Sequence, residues 1–495
     1  MPSNPTTKSQ VQAYRFMLRR VESALVRKDA VMLHEPMRHH LRASAVGLVL
    51  GVLGLAAFFV IGLFNSADQV EEGQIVAIEG TTSVFLIAQD QNEGDLRKVP
   101  VTSLTYARLL FAALKPGEGE APETEYVEAS ALADITEAGR VGLDGAPTYL
   151  PEQENLVGGD WSVCDTADLG EGRLNAEARP PLSTTVIGGV PEPGDPLGPD
   201  QALLVEEESS QTRYLVWNGR RWEIDLGDSA VLLGYQLRDI VPRKVSAGLL
   251  NAIPEGNSLN PPDIPDAGQP SAFPQLPGVQ VGEVIRREIP GTEDESFFLV
   301  RREGLEQVQT AVANLMSLVN NRTATFREIP ARDFLAVPQF NSDDFNNFPD
   351  QVPRVLTTAE TPIACLVWQG VDPAPVITFS ADDTGLLGEG KRPVPVPNAV
   401  RGIQADRVFL ESGKAALVHG VVPRQVTLGP IWLVIDQQRY GVPNIEVARA
   451  LRLGEQPTPA PDSILTLLRP GLTLDPQDAL EQYDPELAQQ RQAGR

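Results

Sequence analysis

One lysine in this 495-residue chain stands where a phosphate-binding loop would need it. Gly385-Leu-Leu-Gly-Glu-Gly390-Lys391-Arg392 satisfies G-x4-G-K, the spacing that lets backbone N–H groups and a lysine cradle the phosphates of a nucleotide. The chemistry then fails at the next residues. Arg392 replaces the Ser or Thr whose hydroxyl would hold Mg2+, and Pro393-Val-Pro-Val-Pro397 cannot open the helix whose N-terminus would face the phosphates. A Gly-rich surface turn is expected there. Glu411-Ser-Gly-Lys414 lacks the first glycine altogether.

Nucleophilic and metal chemistry are equally unsupported. Gly227-Asp-Ser-Ala230 and Gly256-Asn-Ser-Leu259 each lack the second glycine of a nucleophile elbow. His419 lies in an apolar, Val-rich stretch, where a buried structural imidazole is expected and not a triad base. Asp343-Asp344 and Asp382-Asp383 lack the spacing of a calcium loop, and His34, His39 and His40 have neither a nearby Cys nor an H-x3-H spacing. Carboxylates are abundant, but nothing selects a glycosidase pair. No catalytic, cofactor-binding or metal residue is assigned, and no cofactor is expected. Two cysteines remain, Cys164 and Cys365, without a C-x-x-C spacing. In an oxidising compartment they form a disulfide, which by chain entropy contributes roughly 5 kcal/mol for a loop of about 200 residues. Two buried free thiols are the alternative.

The element that decides where such chemistry would occur is Ser44–Phe64, 21 residues without a charge. As a helix it is about 30 Å long, the thickness of a bilayer's hydrocarbon core. It has no polar face, unlike a helix packed on a soluble core. Residues 1–43 carry eight Lys and Arg against three acidic residues, while the whole chain has a net charge of −25. Basic flanks stay inside, so the N-terminus is expected in the cytoplasm and the acidic bulk outside. A cleaved signal peptide is the competing reading. Its apolar core is shorter, its leader is shorter, and it ends at an A-x-A-like site that is not found after Phe64. The acidity argues against nucleic acid and against lying on anionic lipid.

On the cytoplasmic side, Val11, Tyr14, Leu18, Val21 and Leu25 recur at helical spacing, with Arg15, Arg19, Arg20, Arg27 and Lys28 around them. Ser9 and Gln12 form a capping-box pattern. This basic amphipathic helix either rests on anionic headgroups or docks on a partner; the narrow apolar stripe favours the partner. Asp29–Ala43 then leads to the span, interrupted at Pro36.

Outside, 42 Pro and 42 Gly favour short strands, turns and stiff linkers. An apolar strand, a polar turn and a second strand recur at Ser83–Val101, Tyr214–Trp222, Phe297–Leu305 and Trp432–Tyr440. The Asn218-Gly219 pair is a strong hairpin signal. A short helix stopped by Pro and Gly recurs at Ala107–Gly117, Ser246–Gly256 and Ser463–Gly471. The expected fold is a single transmembrane helix plus an elongated α+β ectodomain, with four small repeat lobes (hairpin plus helices) around a central, mostly β domain. The expected division is 1–43 cytoplasmic, 44–64 span, 65–125 repeat one, 126–200 first half of the core, 201–265 repeat two, 266–340 repeat three, 341–400 second half of the core, 401–472 repeat four, and 473–495 tail. Asn257–Gln280 is expected to be an exposed linker.

Taken together, these features resemble the EccB family, the single-span membrane component of actinobacterial type VII (ESX) secretion systems. The most specific stretch is Thr6-Thr7-Lys8-Ser9-Gln10-Val11-Gln12-Ala13-Tyr14-Arg15-Phe16 with Leu18-Arg19-Arg20-Val21-Glu22-Ser23-Ala24-Leu25-Val26-Arg27-Lys28-Asp29. Met32-Leu33 and the approach from Pro36 to Arg42 also fit. The resemblance covers the whole plan: one span, repeat lobes around a core, and two cysteines in that core. It implies the inner (plasma) membrane, a periplasmic ectodomain, and as partners an FtsK/SpoIIIE-like ATPase (EccC), EccD, EccE and a mycosin protease. One helix makes no pore, so assembly through side-by-side ectodomains is expected, with the N-terminal helix docked on the motor or ring. Some members are labelled ATPases. The alternative reading is a periplasmic ATPase or hydrolase, or a cell-wall-binding module, anchored by one span.

Overall fold

The computed structural model describes residues 7–28, 36–64, 70–90, 94–168, 182–189, 195–287, 295–321, 325–370, 376–379, 387, 390–422, 429–485 and 489. It divides into two compact units, Met1–Glu71 with Val127–Asp134, and Glu72–Tyr126 with Ile135–Arg495.

In the first unit, α1 (Lys8–Arg27) starts two residues earlier than Ser9 and Gln12 suggest. Thr7 is the cap: its Oγ1 accepts from the Gln10 amide at 3.4 Å and its own amide donates to Gln10 Oε1 at 2.9 Å. Two S/T-x-x-Q frames overlap here, and the earlier one lengthens the helix while satisfying the Thr7 and Gln10 amides in the same reciprocal way. The second helix, α2 (Pro36–Phe64), begins at Pro36 and is not interrupted by it; proline lacks an N–H that the first turn does not use. Within it, Arg42–Val60 has mean hydropathy 2.4 and no buried residue, as a candidate membrane span requires. His34 lies outside the described residues, as do the side chains of His39 and His40.

Among its described residues, the second unit contains five sheets. β1 (Ile75–Ile78), β2 (Val84–Gln89), β3 (Leu96–Val101), β4 (Thr124–Val127) and β5 (Thr136–Glu137) form the first, with α3 (Leu104–Leu114) after β3. β6 (Trp161–Ala167), β7 (Leu182–Gly188) and β8 (Asp195–Pro196) belong to a seven-stranded sheet that is completed later. The next sheet holds β9 (Gln201–Glu207), β10 (Arg213–Trp217), β11 (Arg220–Glu223) and β12 (Arg243–Val245), with α4 (Ser229–Gly234) and α5 (Ala247–Ala252). A further sheet holds β13 (Val284–Arg287), β14 (Ser296–Val300), β15 (Leu305–Val308), β16 (Arg327–Ile329) and β17 (Gln339–Phe340), with α6 (Thr310–Asn321) and α7 (Ala331–Leu335). β18 (Arg354–Val355) returns to pair with β9. β19 (Ile363–Trp368), β20 (Val376–Phe379), β21 (Val394–Pro395) and β22 (Arg407–Phe409) complete the seven-stranded sheet in the order β21-β22-β7-β6-β19-β20-β8. The last sheet holds β23 (Ala416–Val421), β24 (Ile431–Ile435), β25 (Gln438–Val442), β26 (Thr458–Pro461) and β27 (Arg469–Thr473), with α8 (Ile445–Ala450), α9 (Asp462–Leu465) and α10 (Pro476–Tyr483).

The smaller sheets share one wiring. Three antiparallel strands are followed by a helix, which returns the chain parallel to the first strand, as at β13 with β16 and β23 with β26. A shorter element then brings it parallel to the third, as at β15 with β17 and β25 with β27. Around β9 the first return is β12, and the second shrinks to a parallel bridge of Glu255 beside Arg221. A crossover is needed because parallel neighbours cannot be joined by a tight turn. The four expected hairpins are the second and third strands of each sheet. Asn218 and Gly219 take φ of 50° and 69°, the left-handed pair of a two-residue turn, and Asp436 and Gln437 do the same without a glycine.

Each small sheet has an apolar residue set on both faces, and the helix after the third strand defines the first face. The first and last sheets share a core on that face, with Leu86, Tyr106 and Leu110 against Leu433, Val447 and Leu480. The sheets built on β9 and β13 share another, with Leu204 and Val231 against Leu299 and Val312. On the opposite faces, Val205, Leu249 and Leu250 meet Val418, Ile464 and Leu465 together with Val163 and Leu366 of the seven-stranded sheet.

Several local expectations differ from what is found. Asn257–Gln280 is not an exposed linker: Leu259, Ile264, Leu276 and Val279 are buried, because the prolines alternate with spaced apolar anchors. The Pro-Gly recurrences are two different features. Pro116-Gly117 follows α3 and ends it, whereas Gly256 and Gly471 sit in chain segments running beside the third strands. A Cβ there would lie 2.3 Å from the Trp222 ring at Gly256 and 2.6 Å from the Tyr440 ring at Gly471, so close approach to an aromatic ring requires glycine. The first sheet runs past residue 125 to β5, and the central sheet past 400 to β22, through strands of two or three residues that carry no readable alternation. The segment after 472 opens with α10, whose Ala479 and Leu480 are fully buried.

Gly256→Ala and Gly471→Ala are each expected to lower stability by about 1–3 kcal/mol through overpacking, while Gly139→Ala, with open space at its Cβ, is near neutral. Denaturant unfolding of the detergent-solubilised chain measures this; equal effects at all three sites would refute the ring-contact account.

Candidate assembly surfaces and the central joint

The residues singled out for docking lie together on α1. Val11, Tyr14, Leu18, Val21 and Leu25 are 40% to 76% exposed, and Phe16, Met17 and Val26 add further exposed apolar surface that the stripe alone did not include. Arg15, Arg19, Arg20, Arg27 and the left-handed cap Lys28 are exposed around them. An amphipathic helix with no buried residue presents its whole apolar face outward.

The candidate chemistry is dispersed. Leu387 and Gly390–Arg392 are the described parts of the first phosphate-loop mimic; Lys391 pairs with Glu411 at 3.7 Å, and the chain continues into β21 and not a helix. Lys414 donates to Asn155 Oδ1 at 2.9 Å and leads into β23. Asp228 caps α4 by accepting from the Ala230 amide at 2.7 Å, and Ser258 accepts from the Asn260 amide at 3.1 Å, so neither Gly-Asp-Ser nor Gly-Asn-Ser is an elbow. Asp344 binds Arg301 at 2.7 Å, and Asp343 accepts from Asn346 at 2.7 Å. Asp382 and Asp383 lie outside the described residues. His419 is half-buried in β23, with its Nδ1 buried and without a hydrogen-bond partner. A groove of about 670 Å3 between α3 and α8 is lined by residues such as Ala113, Pro116, Pro443, Asn444 and Asp475, with no His, Cys or Ser among them. No cluster of metal-ligating side chains occurs among the described residues.

What the structure does bring together is a joint on the central sheet. Cys164 of β6 and Cys365 of β19 stand opposite each other in register and form a disulfide, both fully buried. The next residue, Asp165, points to the other face. Its carboxylate accepts from the Ser246 amide at 2.6 Å, from Ser246 Oγ at 2.9 Å and from Thr184 Oγ1 at 2.7 Å. Ser246 in turn caps α5 by accepting from the Leu249 amide at 3.1 Å. Arg243, on β12, faces Asp165 and donates through Nη2 to Thr361 Oγ1 at 2.8 Å and to the Thr361 and Thr357 carbonyls. One strand pair is thus bonded covalently on one face and tied, on the other, to the junction of β12 and α5 by the hydrogen bonds between the buried Asp165 and Ser246. Burial pushes Asp165 up to about 6, against the Ser246 amide, the two hydroxyls and Arg243. Burial likewise lowers Arg243 to about 10, against Asp165. A second joint links the first and last sheets. Tyr106 donates to the Ala479 carbonyl at 2.8 Å and Arg108 to the Leu451 carbonyl at 2.9 Å, with burial and then Arg452 lowering Arg108 to about 10. Sequence reading marked the cysteines but missed Asp165. Its signal was a lone carboxylate inside an otherwise uncharged strand, Trp161–Ala167.

A carboxyl raised in the native state holds its proton where the unfolded chain has released it. The stability it contributes is complete below about pH 4 and lost as pH rises through about 6, roughly 3 kcal/mol for this shift. The stability difference between the unsubstituted chain and Asp165→Asn is therefore expected to be larger at pH 4 than at pH 7 by about that amount. A difference that stays constant from pH 4 to 7 in urea titrations would sink the assignment.

Comparison with known proteins gives a consistent result. The family model described as "Type VII secretion system ESX-1, transport TM domain B" matches residues 3–486. The chain is 30% identical to the ESX-3 secretion system ATPase EccB3 of Mycobacterium tuberculosis, over 98% of this chain and 91% of that protein. It is 28% identical to the ESX-1 secretion system ATPase EccB1 of Mycolicibacterium smegmatis, over 97% of this chain and 95% of that one. A chain in the structure of an intact ESX-5 inner membrane complex superposes with a TM-score of 0.68 at 25% identity, covering 98% of this chain and 97% of that chain. A chain of the EccB3 dimer from the ESX-3 core complex gives 0.66 at 26% identity, covering 82% and 99%. With one candidate span, a large multi-sheet α+β unit and a family match over nearly its whole length, the chain belongs to the EccB family of type VII (ESX) secretion membrane components.

Proposed function

We propose that this chain is a structural membrane subunit of a type VII secretion complex, with α1 on the cytoplasmic side, the Arg42–Val60 stretch in the plasma membrane and the sheets in the periplasm. The observation that carries this is the likeness, over 98% of the chain, to a component of an intact ESX-5 inner membrane complex. The positive residues before the span and the acidic bulk after it support the orientation. The ectodomain assembles with further copies of itself, a reading supported by the similar EccB3 chain that was solved as a dimer. The exposed apolar stripe of α1, with its arginines, docks on the cytoplasmic motor or ring. EccC, EccD, EccE and a mycosin protease are the partners proposed, and nucleic acid is not among them.

The domain division proposed is four repeat lobes around a central β domain. The shared strand order of the smaller sheets supports it, as does the seven-stranded sheet drawn from two distant segments. The cysteine pair belongs to that central domain. The relatives carry "ATPase" in their names, but the described parts of both phosphate-loop mimics lead into strands and hold their lysines on protein acceptors, which favours a non-enzymatic role. A cell-wall-binding row of exposed aromatics is not favoured by the tryptophans of the β10–β11 hairpin: Trp222 is buried and Trp217 donates to the Pro199 carbonyl.

Extraction from the native host in mild detergent, through a C-terminal tag, is expected to yield a large particle containing an FtsK-like ATPase. Removal of residues 2–40 is expected to leave the sheets folded and lose that particle. Recovery of the full chain as a lone monomer would defeat the proposal; retained assembly after the truncation would move the main contacts to the span or the ectodomain.

A further inference from the structure

The sheet built on β13 differs from its neighbours on one face. Its first face shares a core with the β9 sheet, as described. The opposite face, with Ile285, Phe298, Val300 and Leu305, shares no core with another sheet among the described residues; the equivalent faces of the β9 and β23 sheets pack against each other and the central sheet. It is covered instead by α7 and by the Pro-rich segment 268–281, through Leu276, Val279 and the half-buried Phe273. The strap's backbone bonds close on itself: Ser271 donates to Val279 at 2.9 Å, Val281 to Gln269 at 2.8 Å and Gly268 to Val281 at 2.9 Å. Asp266 and Gly282, at its two ends, have φ of 62° and 88°, positions that can absorb a change of direction. Beside it, Leu335 at the end of α7 is 78% exposed.

We propose that segment 268–281 is a removable strap over a self-association face, and that the occupant it excludes is the same face of a second copy of this chain. The choice of occupant comes from the molecule itself. Where this face lacks a strap, in the β9 and β23 sheets, the chain pairs it with its own counterpart, setting α5 against α9. A repeat with an uncapped apolar face would associate or aggregate, and the strap caps this one through Leu276, Val279 and Phe273, while Val281 at its end is held in the core shared with the β9 sheet. The inference rests on the packing of the sheets and not on the secretion reading.

Two measurements on the full chain in detergent test it. In the unsubstituted protein, hydrogen exchange at the Ser271, Val279 and Val281 amides is expected to be at least tenfold faster than at Phe298 and Leu299 of β14. Equal protection would mean that the strap opens only with the sheet, and would overturn the proposal. In the second, Leu335→Cys reports contact between copies through a short bismaleimide. Cross-linked dimer is expected at least fivefold more in the Leu276→Ser/Val279→Ser background than with the strap intact. Cross-linking that is already full with the strap intact, or absent in both, refutes the gated face. If the double variant loses its sheet, as lost β14 protection would reveal, the exchange ratio in the unsubstituted chain decides alone.

Discussion

Every small sheet in this chain is apolar on both sides, and that constraint organises the rest. A sheet of five short strands with one helix behind it buries one face and leaves the other in water, a large cost for a row of Val, Leu and Phe. The chain meets it by matching like faces. The faces behind the longer helices join the first sheet to the last and the β9 sheet to the β13 sheet, and the reverse faces of two of these then close on the central sheet. Partners that lie far apart in sequence are brought together because face type, and not chain order, decides which sheets meet.

The polar groups serve the same arrangement. Asp165 and Arg243 are buried where β6, β12 and α5 converge, and Tyr106 and Arg108 where the first and last sheets converge. Apolar packing between two sheets tolerates sliding; a carboxylate that must accept from one amide and two hydroxyls does not. The disulfide on the far side of the same strand pair fixes the strand register on which those acceptors depend.

Much of this was legible in the sequence. The uncharged 21-residue run, the basic amphipathic helix, the four hairpins and the two cysteines all follow from periodicity, charge and turn chemistry, which are local signals. The parts that were not legible are long-range. β5, β8, β17 and β18 have only two residues each and exist because a neighbouring edge is available to them. The Pro-rich stretch read as a linker because its composition is that of one, yet Leu259, Leu276 and Val279 find cores supplied by other segments. Gly256 and Gly471 looked like helix stops, and the rings that require them belong to strands that only the fold brings near. Asp165 looked like one acidic residue among 66.

The pairing of the first sheet with the last sets an order of events in synthesis. Tyr106 finds its carbonyl acceptor 373 residues downstream, and Arg108 finds its own 343 residues downstream. The first sheet to be made therefore waits, with one side open, until nearly the whole chain has been delivered. The face shared by the sheets built on β9 and β13 meets no such delay, since these sheets are neighbours in the chain. The last forty residues thus close a surface that has stood open since the first sheet was made, and long-range closure of this kind is slow and leaves apolar surface in need of shielding.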